Sequence, residues 1–455
     1  MLRAAVTTAP GCLPVFGHLP ALLMRRETFL QAVRDHGEIV KIRLGRKPFY
    51  VLNSPAVVHR ALVTEANSLD KGLIFDRARP FFGNGIVTSS GQFHLRQRRI
   101  MQPAFHRERI EEYAVTISKT IDRLVGSWRE GDVLHMDKEM RKLASSAVTD
   151  SLFAGTRMQE AAQKMEEYLP LVINGAFLYT LLPAWCTRLP GVSRLRYFAA
   201  AARLRSLIDG TIDAARRSGS EGNDLLSLLV AARVDAEGNG MTDQEIRDET
   251  MSILVAGIET TGTSLSWACH VLTRRPDIAD HIRAEAASAA WQPGQPAKTT
   301  DFPYTERFIM EVLRLHQPNW IMMRRTREAV DLGVATIDSG CELIYSAATL
   351  HRDPELYPDP LTFDPDRWIG WTEERQRCTF IPFGAGKRKC IGDTFAWTEM
   401  LLAILTITAR WTLHADARHQ VRRVATSQIH PNSLPMRVVR LDRHSAAEAA
   451  AEKSR

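Results

Sequence analysis

The chain has 455 residues, 45% of them hydrophobic and 24% charged, with a formal net charge of +7 at pH 7. That composition excludes disordered and fibrous classes, and the length allows two or three domains at roughly 150 residues each. The arginines are scattered and no nucleic-acid motif accompanies them, so the positive charge reads as a solvated mixed surface, with an acidic protein partner as the specific alternative.

In the first 26 residues Pro10, Gly11, Pro14, Gly17 and Pro20 interrupt every apolar run. No stretch approaches the roughly 20 residues of a spanning helix, and no signal-peptide core is continuous. The expectation is a cytoplasmic protein without a membrane anchor, led by a Pro/Gly-rich segment over 1–26. Six cysteines stand at 12, 186, 269, 341, 378 and 390, widely spaced and without a C-x-x-C pair. This argues against zinc, an iron–sulfur cluster or a disulfide framework.

Residues 27–36 read as a short helix stopped by Gly37. Two alternating runs, 38–44 and 49–53, flank Gly45, Arg46, Lys47 and Pro48 as a hairpin. Ser54 and Pro55 follow as an N-cap and a first helical residue. Helical periodicity dominates to about residue 280, with breaks near Gly83–Gly85, Gly131, 183–190, 218–222 and 238–240. The longest helix is expected over 242–275, opened by a capping box of Thr242 and Glu245 and ended by Pro276. It would be roughly 50 Å long at 1.5 Å per residue. A shorter helix covers 305–316, short β runs and Pro-rich loops follow residue 320, and another helix follows Cys390. The tail 443–455 is expected to fray. No repeat or separating linker stands out, so 27–442 is taken as one domain, mainly α with a smaller β-rich region.

Four constellations carry chemistry. The first is the stretch 383–392, FGAGKRKCIG. A cysteine that ligates iron must be a thiolate, and it needs nearby positive potential and backbone N–H donors. Gly384, Gly386 and Gly392 let the backbone pass close to a flat cofactor, and Arg388 can pair with a carboxylate of it. A phosphate loop fails here, because Ile381 stands where its first glycine belongs and Arg388 where Ser or Thr belongs. The second is Glu311 and Arg314, three apart on one helix face. The third is Ala256-Gly257-Ile258-Glu259-Thr260-Thr261, midway along the long helix. Thr260 can return its hydroxyl to the Ala256 carbonyl and open a groove there. The fourth is His94 and Arg98, four apart and able to face two carboxylates. Taken alone, the second and fourth are more often surface charge.

Together, in this order, these motifs resemble the cytochrome P-450 superfamily over nearly the whole chain. The resemblance implies the P-450 fold, a single prism-like domain, and a haem b whose iron is bound by Cys390. Phe383, Gly384, Gly392 and Arg388 would cradle the haem. His94 and Arg98 would hold its propionates, with Arg324 or Arg325 as a further partner, Arg324 being preferred. Glu311, Arg314 and Arg367 of the Phe363–Trp368 loop would lock the fold. Thr260 would hydrogen-bond activated dioxygen and Glu259 would relay protons. The activity implied is a monooxygenase using O2 and electrons from NAD(P)H. A separate ferredoxin or flavodoxin with its reductase would deliver them, to an enzyme acting as a monomer.

The substrate side is placed by the same resemblance around 75–88, near Val255 and Ala256, over 319–323 and at 432–434. Phe81, Phe82, Ile86, Val255, Ala256, Trp320, Ile321 and Met322 would form an apolar pocket, with no charged anchor for a carboxylate. Residues 71–76, 83–86 and 102–106 resemble bacterial sesquiterpene oxygenases of the pentalenene oxygenase type. A terpene or terpenoid of secondary metabolism is therefore favoured. The alternatives are a fatty-acid or macrolide hydroxylase, a peroxygenase or rearrangement enzyme, and a non-catalytic haem protein.

Overall fold

A 32-residue helix, Asp243–Arg274, runs through the middle of the molecule and the other elements pack around it. In the computed structural model, residues 6–153, 164, 167–173, 175–176, 179, 192–217, 224–232 and 240–441 are described. The tail 443–455 and the breaks expected at 183–190 and 218–222 lie outside the described residues. The central helix opens on the expected capping box: the Thr242 hydroxyl accepts from Glu245 N at 3.2 Å, and the Glu245 carboxylate accepts from Thr242 N at 2.7 Å. Pro276 does more than stop it, for it begins the next helix, Pro276–Ser288, where its missing N–H costs nothing.

The glycines of the central helix have a packing reason. The helix Met136–Leu152 crosses so close that a Cβ on Gly257 would lie 2.9 Å from Val148 Cγ2, and one on Gly262 2.9 Å from Arg141 Cα. Each glycine costs about 1 kcal/mol of helix propensity against alanine. The close approach offsets that cost. On another side lies Asp393–Arg410, which follows the cysteine loop and is buried continuously from Glu399 to Thr408. A helix apolar nearly all round belongs in a core.

The β region is a six-stranded mixed sheet with smaller satellites. Thr7–Thr8 pairs parallel to Ile39–Leu44, which turns back antiparallel onto Lys47–Leu52. The hairpin is tighter than the sequence suggests, because Lys47 and Pro48 belong to the returning strand. The sheet continues through Glu342–Tyr345 and Met322–Thr326 to Leu69–Lys71. Thr7 and Thr8 thus weave the N-terminal segment into the sheet. Among the described residues no helix is long and apolar enough to cross a membrane.

The buried lock forms as expected. Glu311 and Arg314 are fully buried and joined by two parallel bonds of 2.8 and 2.7 Å. Arg367 Nε reaches the same carboxylate at 3.1 Å, and Trp368 Nε1, which the motif did not foreshadow, donates at 3.1 Å. Asp364 N adds a further donor at 3.0 Å. Arg314 spends its other hydrogens on the carbonyls of His351, Pro360 and Thr362. Removing one partner of a buried, fully bonded ion pair strands the other charge. Glu311→Ala should therefore lower stability by about 3–5 kcal/mol, read by urea unfolding against the parent chain.

Candidate active site

Cys390 sits at the end of a loop whose shape its backbone dictates. Cys390 N donates to Phe383 O at 2.9 Å and Lys389 N to Gly386 O at 3.0 Å. Gly386 has φ +66°, and a Cβ there would fall 2.0 Å from Leu62 O, so no other residue fits. Cys390 is solvent-exposed and lines a cavity of about 600 Å³ together with Phe383, Gly384 and Gly392. Burial pushes its thiol up to about 11. The Gly392 N–H, Arg98 and Lys389 act the other way, and Asp393 adds to the rise. A thiolate at this position calls for a cationic partner such as a metal.

The central helix supplies another wall through Val255, Ala256, Glu259 and Thr260. Thr260 Oγ donates to Ala256 O at 2.6 Å, as the sequence predicts. The helix nevertheless runs unbroken through this point. Burial raises the Glu259 carboxyl above its ordinary range, partly opposed by Arg141.

Cations gather at one rim. In the register of the sheet Lys71 lies directly opposite Arg324, and Asp70 opposite Arg325. Side chains alternate across a strand, so the two pairs take opposite faces. Arg325 is neutralised by Glu342 at 2.5 Å and Asp76 at 2.8 Å. Arg324 and Lys71 face the cavity. Arg324 is held by Met323 O at 2.8 Å and the Tyr345 hydroxyl at 3.4 Å. This settles in geometry which of the two arginines reaches the cavity. His94, Arg98 and Arg388 line the same rim. Arg98 donates to Lys389 O at 2.7 Å, and Arg388 to Ser89 O and to Asp70, both at 3.3 Å.

The electrostatics record the crowding. Burial, then Arg324, Arg388 and Arg98, hold the Lys71 amine well below its ordinary value. Burial, then Lys71 and the three arginines, depress His94 to about 3. Burial followed by Arg324 lowers Arg388 to about 10. His94 Nδ1 lies 3.3 Å from Ser89 Oγ, while Nε2 is buried without a partner. Like charges directly opposite on a sheet are destabilising. Among the described residues Asp70 pairs with Arg388 and Asp393 acts on Arg98, so the cations Lys71, Arg98, Arg324 and Arg388 outnumber these carboxylates and the rim fits a ligand bearing two anionic groups. A flat metal cofactor with two carboxylates would suit this rim, with Cys390 as its candidate metal ligand. Lys71 was not singled out in the sequence, because nothing local marks a lysine whose partner is 253 positions away in a neighbouring strand.

Most of the expected pocket residues meet here: Phe82, Ile86, Val255, Ala256, Trp320, Ile321 and Met322 all line the cavity. Phe81 is a correction. It is fully buried and stacks on Phe198 at 4.8 Å and edge-on to Tyr179 at 5.5 Å, in the packing against the helix Val192–Arg217. The helix Leu73–Phe82 turns its two terminal phenylalanines to different sides. Residues 432–434 also miss the cavity. Ser427 and Gln428 take that place, because Trp320 Nε1 donates to Thr426 O at 2.9 Å and Ile429 N to Pro318 O at 2.8 Å. Nor is the lining free of charge away from the rim, since Arg77 contributes to it and donates to Tyr179 O at 3.4 Å.

Comparison with known proteins matches residues 8–436 to the family described as Cytochrome P450. The chain is 38% identical over 411 residues to cyclooctat-9-en-7-ol 5-monooxygenase of Streptomyces melanosporofaciens, covering 89% of each chain. It is 38% identical to cyclooctatin synthase of the same organism, over 91% of this chain and 92% of that one. It is 36% identical to pentalenene oxygenase of Streptomyces avermitilis, over 95% of this chain and 96% of that one.

The Lys71–Arg324 apposition makes a prediction for the ligand-free chain. The amine titrates lower in the folded state than unfolded, so the unfolded chain binds more protons between the two values. Stability from this group therefore rises as pH climbs towards 10.5 and is lowest below the folded value. Lys71→Met should flatten that rise in paired urea titrations and stabilise the ligand-free chain at pH 7 by about 1 kcal/mol.

Proposed function

The chain belongs to the cytochrome P450 family, and from that premise we propose that it is a haem-thiolate monooxygenase of terpenoid secondary metabolism, placing one oxygen atom from O2 into an unactivated C–H bond. The observation that carries this is a single, mostly apolar cavity with the Cys390 thiol on one wall and Thr260 and Glu259 on another. Haem, when bound, supplies the binding and activation of dioxygen, with electrons from NAD(P)H.

The chain's own residues do the rest. Cys390 would ligate the iron. His94, Arg98, Arg324 and Arg388, with Lys71 added, would hold the propionates, and Phe383, Gly384 and Gly392 would help to cradle the group. Glu311, Arg314 and Arg367 keep the surrounding loops in place. Thr260 Oγ gives its proton to the Ala256 carbonyl, so its oxygen has lone pairs left to accept a hydrogen bond from the cavity. Glu259, raised by burial, holds a proton nearer neutral pH than an ordinary glutamate and can release it towards Thr260. Phe82, Ile86, Val255, Ala256, Trp320, Ile321 and Met322 exclude water and grip an apolar body by shape. The enzyme acts as a monomeric cytoplasmic protein, one catalytic domain over 27–442, fed by a ferredoxin or flavodoxin.

The terpenoid assignment rests on the apolar lining and on three relatives, of which pentalenene oxygenase is named for a terpene. A fatty acid is the second reading, and Arg77 on the cavity wall favours it, because a guanidinium can pair with a carboxylate. A spin-shift titration with terpenes, terpenoid alcohols, fatty acids and macrolactones separates the two. Terpenoids should give the largest shift and, with a donor pair, a product heavier by one oxygen. Tight fatty-acid binding with no response to terpenoids would overturn the assignment.

Cys390→Ser should lose the thiolate-type band of the reduced carbon-monoxide complex. Thr260→Ala should retain haem and that band yet divert most NAD(P)H into peroxide, measured as the ratio of product to cofactor oxidised.

A further inference from the structure

Two adjacent carboxylates in the first third of the central helix have no place in the chemistry above. Asp248 and Glu249 are both buried, and among the described residues neither makes an ion pair. Each accepts one main-chain hydrogen bond from the loop that follows the helix Leu73–Phe82. Asn84 N donates to Asp248 Oδ2 at 2.7 Å, and Ile86 N donates to Glu249 Oε2 at 2.7 Å. The second oxygen of Glu249 has no partner. Burial raises both acids, Glu249 to about 8, with the Ile86 N–H pulling the other way.

The loop is seated as closely as backbone allows. A Cβ on Gly83 would lie 2.1 Å from Asp248 Oδ1, and one on Gly85 would lie 2.3 Å from both Asp248 O and Ser252 Oγ. Thr88 Oγ closes the loop on itself by donating to Gly83 O at 2.6 Å. Its far end is tied to the cation rim. Ser89 O accepts from Arg388, Ser89 Oγ meets His94, and Ser90 Oγ accepts from Lys71 N at 3.1 Å. Between these moorings Ile86 and Val87 form cavity wall. Residues 248, 252, 256 and 260 recur every four positions, so this strap lies on the helix face that also carries Ala256 and Thr260.

We infer that Asp248 and Glu249 are positioning residues for substrate selection: they hold the strap 83–89 at a fixed height over the cavity, and so fix where Ile86 and Val87 press on the substrate. The inference rests on the monooxygenase reading of this cavity, not on the terpenoid assignment. Two buried acids are expensive to keep. Their yield is two acceptors aimed at alternate amides of one loop, a geometry that leaves the strap no freedom to rise.

The test uses haem-loaded enzyme and Asp248→Ala, Glu249→Ala, Glu249→Gln and Gly85→Ala. Losing one such bond should speed amide exchange in the peptide 83–89 by about tenfold. Glu249→Gln should stay near the parent, since its amide oxygen still accepts from Ile86. The iron ligands imidazole and 4-phenylimidazole probe the cavity by size. The alanine variants should change the affinity ratio of the two while the carbon-monoxide band is unaltered, and pentalenene, if it turns over, should give more products. Gly85→Ala should reproduce these effects from the loop side, and it carries the test should an alanine variant fail to take up haem. Unchanged exchange and an unchanged affinity ratio in Glu249→Ala or Gly85→Ala would overturn the inference. A chain that ignores every terpenoid of the panel but shows the strap effects would instead remove the terpenoid assignment alone.

Discussion

The fork between Glu311 and Arg314 is the contact on which the cysteine side of the molecule hangs. An ion pair in a dry interior repays its desolvation only when every remaining donor and acceptor is met. Here the carboxylate takes bonds from Arg314, Arg367, Trp368 and Asp364, and the guanidinium reaches three loop carbonyls. The loops after residue 350 have little regular structure of their own. Their course is set by having to bring those carbonyls to one buried arginine. The constraint then passes along the chain. His351, whose carbonyl Arg314 holds, accepts Ile381 N on its ring nitrogen at 3.0 Å, and Ile381 leads directly into the cysteine loop. Burial beside Arg314 depresses His351 to about 3, so the ring stays neutral and keeps a lone pair for that bond.

On the other side of the cavity the constraint is a deficit. On one face Arg325 is paired with Glu342, and the face one residue out of phase sets Lys71 against Arg324 with Arg388 and Arg98 close by. Adjacent residues of a strand point to opposite faces, so the sheet separates the paired Arg325 from the cationic face at the cavity. A chain folded in this way stores unfavourable charge that an anionic ligand relieves. Ligand binding and folding are then linked, because whatever binds the native rim alone stabilises it by mass action. The strap meets the same rim at its far end, where Ser89 contacts the Arg388 and His94 side chains and Ser90 Oγ accepts from the Lys71 main chain.

What could be read from the sequence follows the range of the interaction. The capping box, the Thr260-to-Ala256 bond and the Glu311–Arg314 pair are three or four residues apart, and each forms as its spacing says. Arg324 against Arg325 could not be decided before strand register was known, since only the pleat separates neighbours. Phe81 and Phe82 pose the same problem on a helix: one packs into the core and the other faces the cavity. Lys71, Asp248 and Glu249 went unnoticed because their partners come from distant elements. The glycines at 83 and 85 were read as a break in helical pattern, when their lack of a side chain is what lets the loop lie flat. Residues 432–434 were misplaced because Trp320 and Pro318 pin the chain at Thr426 and Ile429.

The central helix shows why polar residues accumulate where propensity would exclude them. One face carries a column at 248, 252, 256 and 260: Asp248 accepts a loop amide, Ser252, Ala256 and Thr260 line the cavity, and the Thr260 hydroxyl donates to the Ala256 carbonyl. The glycines at 257 and 262 lie off that column and admit the helix Met136–Leu152. Close packing there immobilises the helix against one neighbour while the polar column meets another. The acids at 248, 249 and 259 are all raised by burial above the ordinary carboxyl range. A helix that gave up the glycines at 257 and 262 for alanine would gain propensity and lose its close approach to Val148 and Arg141.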